Sequence, residues 1–487
     1  MKLSNASLAD MPDSVLVPTY DRAALTPGIV HIGLGNFHRA HQAWYLHRLM
    51  QAGKAHDWAI IGAGVRAADS AMREKLLGQD CMTALITLDP EHTLVEVTGP
   101  MIDFLPIEET NGALIRAMSD PAIRIVSLTV TEGGYFRGAA GQLDVRHPDM
   151  QHDAANPNQP RTAFGAMVAA YDARRKAGLA PFTGQCCDNL QNNGDVLRAT
   201  VVGLARLSDP ILADWIDENA AFPNAMVDCI VPATGNAELA LIRDLGGADA
   251  APVTHEDFRQ WVIEDDFCAG RPPWEDVGVT LTPEVHTFEA MKIRMLNAGH
   301  QVLANAGELL GMPTIAACMA DPAIAAFFRK VEKEGIAPYV APVPGMTPLA
   351  YLDLITRRFA NPKIHDTTRR VAFDGSSRHP GFVLPILRDA LAANGDIGHL
   401  ALTEALWARM CAGTREDGSV IEPNDPIWPA LNRAALAAKE DPQVWLDQRN
   451  VYGDLGQDSR FAEAFCNWLT RIWAEGCRPT LQAFNAE

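Results

Sequence analysis

The sequence predicts an α/β protein in which a parallel sheet is followed, from about residue 285, by a mostly helical domain. Three observations predict it. Short apolar runs alternate with helical segments in the first part of the chain, a glycine turn closes the first of those runs, and strand signals fade beyond residue 285.

Residues 28–37, Gly-Ile-Val-His-Ile-Gly-Leu-Gly-Asn-Phe, read as an apolar strand breaking into a glycine turn, and His38 to Met50 continues with helical periodicity. This is the start of a nucleotide-binding βα unit. Trp58 to Gly64, Ile123 to Val130 and Phe182 to Cys187 read as further strands with helical segments between them, an alternation that gives a parallel sheet. Thr83 to Leu88 and Thr93 to Val97, around the Asp89-Pro90 turn, read as an inserted hairpin. In the second part Ala- and Leu-rich helical stretches dominate at 286–310, 321–334, 347–360, 380–394, 400–412 and 459–475, and Ala341 to Gly345 is a loop among them.

A chain of 487 residues with 48% hydrophobic content supports two or more domains. Its formal charge of −19, with basic residues scattered, speaks against nucleic acid and acidic membranes as partners and for a small molecule. The N-terminus has no apolar leader pattern and no apolar run reaches membrane-spanning length, so a cytoplasmic protein is expected. Nine cysteines without CxxC spacing indicate neither a disulfide framework nor a zinc ribbon, and Cys186 and Cys187 read as buried thiols beside a strand. No HExxH motif or His/Cys cluster offers a catalytic metal, so redox chemistry would run on an organic cofactor.

Gly33-Leu34-Gly35-Asn36-Phe37-His38 has the strand-to-helix context of a dinucleotide fingerprint, with His38 in place of the third glycine. Gly33 allows the tight turn and Gly35 the approach of a pyrophosphate. The other reading is a tight turn without a ligand. Asp69 is the first acid after the second strand and the candidate acceptor for the adenosine ribose hydroxyls, which favours NAD over NADP; Arg66 nearby leaves dual use open, and Asp69 equally suits a helix N-cap. Thr129 to Tyr135, which contains Glu132, and Cys187-Asp188-Asn189-Leu190 lie at the carboxyl ends of strands, where such sheets place ligands; each also fits a polar turn.

In the second domain, Phe288 to His300 carries Glu289, Lys292, Asn297 and His300 on one predicted helix. At about 100° per residue from Lys292, Glu289 falls near 60°, His300 near 80° and Asn297 near 140°, so all project from one side. Lys292 and His300 lie roughly 12 Å apart along the axis, a span that suits an extended polar substrate. The alternative is an amphipathic helix with a solvated face and a Glu289–Lys292 ion pair.

These pieces together resemble the long-chain polyol dehydrogenases of the mannitol 2-dehydrogenase family over nearly the full length. The matching stretches are His31 to Ala43, Thr129 to Tyr135, Cys187-Asp188-Asn189, Phe222 to Pro232, Gln260 to Asp265, the Lys292, Asn297 and His300 set, and Asp374-Gly375-Ser376-Ser377. The resemblance implies a Rossmann-like NAD-binding domain over 1–284 and a mostly helical substrate domain over 285–487, with metal-independent interconversion of a sugar alcohol and a ketose. It implies Lys292 as general base, Asn189 and Asn297 holding the reacting oxygen, His300 orienting the polyol and Glu289 on the proton path. Arg370 and Arg378 match positions near the substrate. Gly33, Gly35, Asn36, Phe37, His38, Asp69, Glu132 and Asp228 are the candidate cofactor residues. The family leans towards monomers.

The chemistry suits those roles. Hydride loss from a carbinol needs its hydroxyl proton removed at the same time, and a lysine can take it only when uncharged. That requires burial or nearby cations to bring the amine down by roughly two to three pH units from about 10.4. Cys229 stands where the family usually has arginine, Ala298-Gly299 where it has Gly-Ser, Gln185-Cys186 where Ser is more usual, and Arg378-His379 where a lysine and an apolar residue are common. These departures bear on substrate preference. Two other functions fit the same fold: a hexuronate reductase, with Arg294, Arg370 and Arg378 as cations for the substrate carboxylate, and a non-catalytic NAD-binding sensor.

Overall fold

The computed structural model describes residues 2–138, 143–232, 234–235, 239–240, 242–243 and 249–487, apart from the side chain of Glu132. The chain divides into two compact units, Met1–His286 and Thr287–Glu487.

The first unit is built on five parallel strands, β1 (Pro27–Ile32), β2 (Ala59–Ala63), β3 (Met101–Phe104), β4 (Ile125–Leu128) and β5 (Thr183–Cys186), in the spatial order β3-β2-β1-β4-β5. That is the order of a doubly wound dinucleotide-binding sheet, whose direction of winding reverses between β1 and β4. Val30, Ile32, Val126 and Leu128 are fully buried, as strands covered on both faces require. Helices Gly112–Ser119, Ala163–Lys176 and Asn193–Ser208 supply part of the cover, with Tyr171 stacked on Phe182 at 4.0 Å.

The predicted hairpin forms, Thr83–Leu88 against Thr93–Thr98, but it belongs to a larger sheet. Val15–Leu16 and Val253–Glu256 pair in parallel on its two sides, and a third sheet joins Ala225–Asp228, Gln260–Ile263 and Thr280–Leu281. The helix expected from His38 to Met50 is broken at His41 (φ −118°, ψ −88°) into Asn36–Ala40 and Gln42–Gln51. His41 spends its ring on the Gln260 carbonyl (2.9 Å) and on a stack with Phe37 (4.9 Å).

The second unit is helical, and among the described residues no named strand lies beyond Leu281. Its axis is the helix Ala298–Leu309, in which every residue except His300 is buried. A helix buried all round forms the centre of a bundle. Gly398–Met410 and Pro322–Lys330 pack on it, and Ser459–Glu475 packs on Gly398–Met410. All nine cysteines are free, Cys186 and Cys187 lie buried at the end of β5, and no described helix is long and apolar enough to cross a membrane.

Candidate active site

At the carboxyl edge of the five-stranded sheet, the turn after β1 is fixed by backbone geometry. Gly33 has φ +89° and its N–H donates to Ala63 O (3.0 Å), while Gly35 N–H donates to Gly33 O (2.8 Å). A Cβ at Gly33 would lie 2.1 Å from Thr129 O, so glycine is required by both conformation and space. At Gly35 a Cβ would meet no atom within 4 Å, and the residue is exposed. Among the described residues no neighbour requires Gly35 to be small, and the open space beside it is what close approach by a phosphate would need.

The segment after β4 lies beside this turn. Thr131 and Phe136 take positive φ (70° and 50°) around the short turn Glu132–Tyr135. The Glu132 side chain lies outside the described residues. Asp188, after β5, holds the segment: its carboxylate accepts from Val130 N–H (3.0 Å), Thr131 N–H (2.9 Å) and the Tyr135 hydroxyl (2.6 Å). Asn189, next in the chain, is exposed. The sheet thus brings Gly33–His38, Thr129–Tyr135 and Asp188–Asn189 to one edge, at the point where the strand order reverses.

The other cofactor candidates have varied surroundings. His38 is buried and its ring stacks on His31 at 3.4 Å, so it packs beneath the turn where a third glycine would have let the helix approach the strand. Burial brings His31 down to about 3 and His38 well below the ordinary imidazole range, so both rings are neutral. The Asn36 amide accepts from Arg39 (2.7 Å) and donates to Thr234 (3.3 Å). One Asp69 oxygen accepts from Val65 N–H (3.1 Å) and Arg66 N–H (3.0 Å), so the side chain closes back on the turn after β2 and makes no N-cap bond to the helix that follows it. Asp228 is buried at the end of its strand, opposite Gln260. The described residues hold one group spaced for a cation, Asp89, His92 and Asp257 at the tip of the hairpin, where Asp89 and His92 already pair at 2.9 Å.

In the second unit the predicted helix forms as Val285–Met291 and Ala298–Leu309, joined by a π-helical turn over Lys292–Asn297. A π turn closes i to i+5, the spacing of Lys292 and Asn297. The wider turn therefore closes much of the ~140° that an α-helix would put between them. Glu289 and Lys292 are buried, at 5% and 8% exposure, which is not the solvated face of the alternative reading.

His300 keeps its side chain 14% exposed and stacks on Phe359 at 4.3 Å. Its Nε2 is buried and has no hydrogen-bond partner among the described residues; Asp366 Oδ2 stands 4.0 Å away. Arg370 is tied to Asp366 by two bonds of 2.6 and 2.7 Å, and Arg378 donates to Val371 O (2.7 Å). Burial is the largest influence on His300 and lowers it to about 4; Asp366 opposes this, and Arg370, Arg358 and Arg378 add to it. Since a free imidazole titrates near 6.5, the stability from holding this ring neutral is complete above that pH and is lost as pH falls towards 4. At pH 5 the loss is about 2 kcal/mol. Urea unfolding at pH 7 and pH 5 is expected to show a smaller difference in His300→Asn than in the wild type; equal differences would contradict a neutral buried ring.

The mannitol dehydrogenase Rossmann domain family matches residues 27–276, and the mannitol dehydrogenase C-terminal domain family matches residues 284–473. The mannitol 2-dehydrogenase of Cereibacter sphaeroides is 56% identical over 476 residues, covering 98% of this chain and 100% of that one. The chain belongs to the mannitol dehydrogenase family. The fold agrees with family structures. Pseudomonas fluorescens mannitol 2-dehydrogenase, in a ternary complex with NAD and D-mannitol, matches with a TM-score of 0.87 at 38% identity and covers 100% of both chains. A substrate-free D-sorbitol dehydrogenase matches with a TM-score of 0.92 at 34% identity, over 99% of this chain and 100% of that one.

For this member of the mannitol dehydrogenase family, the sequence reading missed two residues that set the site. Asp188 was visible only as part of a strand-end motif, and its three donors come from 53 to 58 residues earlier in the chain. Asp366 gave no signal, because its partner Arg370 is one helical turn away while His300 lies in a different element.

Proposed function

We propose that this chain is an NAD-dependent polyol dehydrogenase that interconverts D-mannitol and D-fructose, with D-arabinitol and D-sorbitol as further substrates. The observation that carries the reading is the helix bearing Lys292, Asn297 and His300, in which a π turn draws the first two together and a buried ring nitrogen is unpaired among the described residues. An unpaired buried nitrogen costs stability, and a substrate hydroxyl is the partner that offsets it.

In this reading Lys292 takes the hydroxyl proton of the carbinol being oxidised, and Glu289 passes it towards solvent. Amide donors from Asn297 and Asn189 favour the partial negative charge on the reacting oxygen without adding a formal charge. Neutral His300 orients the polyol through Nε2, and Arg370 and Arg378 meet its hydroxyls. Gly33, Gly35, Asn36 and the Thr129–Tyr135 segment cradle NAD, with Asp69, Glu132 and Asp228 as its further contacts. Bound NAD supplies the hydride acceptor. Operation as a monomer in the cytoplasm belongs to the same reading, the family leaning supporting the monomer.

The charge pattern favours a polyol over a hexuronate. Of the three arginines that could hold a substrate carboxylate, Arg294 is tied to Asp389 at 2.5 Å and to Tyr339 O at 2.8 Å, and Arg370 is tied to Asp366. A site in which two of the three cations already hold carboxylates gains less from an added one. With NADH and equal concentrations of ketose, kcat/KM is expected to be at least about tenfold higher for D-fructose than for D-fructuronate. A preference for fructuronate would overturn the assignment, and absence of turnover on every polyol and ketose would favour an NAD-binding sensor.

A further inference from the structure

A closed set of hydrogen bonds, buried except for that of Arg378, connects the helix of His300 to Arg378. Val371 O accepts from Gln301 Nε2 (3.1 Å), one residue beyond His300, and from Arg378 Nη1 (2.7 Å). Asn305, on the same helix, donates to Gln301 O (3.0 Å) and reaches His379 Nε2 (3.1 Å). His379 follows Arg378 in the chain and opens a second π-helical turn, His379–Val383. The ring formed by residues 301, 305, 371, 378 and 379 thus joins two elements of the site.

His379 is anchored from the far side. Its Nδ1 meets Glu404 Oε1 at 2.7 Å, and its ring stacks on Trp407 at 4.1 Å and 11°. Glu404 Oε2 accepts from the Tyr452 hydroxyl (2.8 Å), which in turn accepts from Trp445 Nε1 (2.6 Å). His379, Glu404, Tyr452 and Trp445 are all 0% exposed. With Nδ1–H given to the carboxylate, Nε2 is left to accept from Asn305, so each bond fixes the next.

Stability alone does not account for this chain. A buried carboxylate and its hydrogen-bonded partner are often matched or exceeded in stability by apolar residues of similar volume. The polar chain does what an apolar side chain cannot: it makes directional bonds to His379, the first residue of the π turn that Arg378 leads into.

We infer that His379, held by Glu404 and Tyr452, is a positioning residue that sets the Arg378 guanidinium relative to His300 and thereby the affinity for the polyol. The inference rests on the polyol reading above. The test is the double variant His379→Leu/Glu404→Leu, which removes the pair together and leaves no unpaired buried charge, beside Arg378→Ala. The double variant, which also leaves the buried Tyr452 hydroxyl and Asn305 amide without these partners, is expected to unfold at a lower midpoint yet, while folded, to keep its KM for NAD and its kcat within about twofold as KM for D-mannitol rises roughly tenfold. A purely structural role would leave KM for D-mannitol unchanged in the folded variant, and that result would overturn the inference. Arg378→Ala separates the two levels. A raised KM there with a native KM in the double variant would sink the inference alone, whereas a native KM in Arg378→Ala would remove the substrate role on which it depends.

Discussion

Lys292→Ala is expected to lose turnover by roughly 10²–10⁴-fold, the range supplied by a positioned general base. Lys292 is only 8% exposed and lies at the start of the π turn that ends at Asn297, so its side chain is held in place by the helix packing. The candidate cofactor residues all lie in the other compact unit, Met1–His286, so NADH affinity, read by fluorescence titration, is expected to stay within about threefold of the wild type. Loss of turnover with loss of NADH binding would point to a folding defect. Retained turnover would remove the proposed base.

The second large effect is expected at Gly33→Ala. Its φ of +89° excludes an alanine at low cost, and the added Cβ would lie 2.1 Å from Thr129 O and 2.8 Å from the Thr129 carbonyl carbon. Neither neighbour is a flexible side-chain end, so β1 and β4 would have to part where the turn leaves the sheet. Strain and overpacking together cost roughly 3–5 kcal/mol. The first unit is expected to unfold at a markedly lower denaturant concentration and NADH affinity to fall with it. Gly35→Ala makes the contrast, since its Cβ would meet nothing within 4 Å. That variant is expected to keep its stability and lose NADH affinity. Equal stability of the two alanine variants would contradict the division of roles between the glycines.

Much of the sheet was legible because its strands are buried on both faces and so read as apolar runs, as in Ala-Ile-Ile-Gly-Ala over 59–63. The glycine turn was legible for a similar reason: Gly33 answers a backbone need that few residues can meet. The strand Val253–Glu256 was not legible, because its partner Thr83–Leu88 lies more than 160 residues earlier and nothing local announces the pairing. The break at His41 was hidden by helical periodicity on both sides of it.

In the site, the spacing of Glu289, Lys292, Asn297 and His300 pointed to one helix and one face. The π turn inside that helix was not legible, since it is a change of hydrogen-bond partner rather than of side-chain pattern. Asp69 shows the opposite limit. Its place after β2 suited a ribose contact and a cap equally, and the backbone donors Val65 and Arg66 engage one of its two oxygens. His379 stood out in the sequence only as a departure from the family pattern; its meaning came from Glu404 and Tyr452, brought to it by folding.

The most direct measurement of the central claim, that uncharged Lys292 removes the substrate proton, is NADH formation by Lys292→Ala at saturating D-mannitol and NAD, with and without an added small primary amine. A lysine base predicts near silence without the amine and a rate that climbs with the concentration of its free base. NADH formation at the wild-type rate without added amine would contradict it.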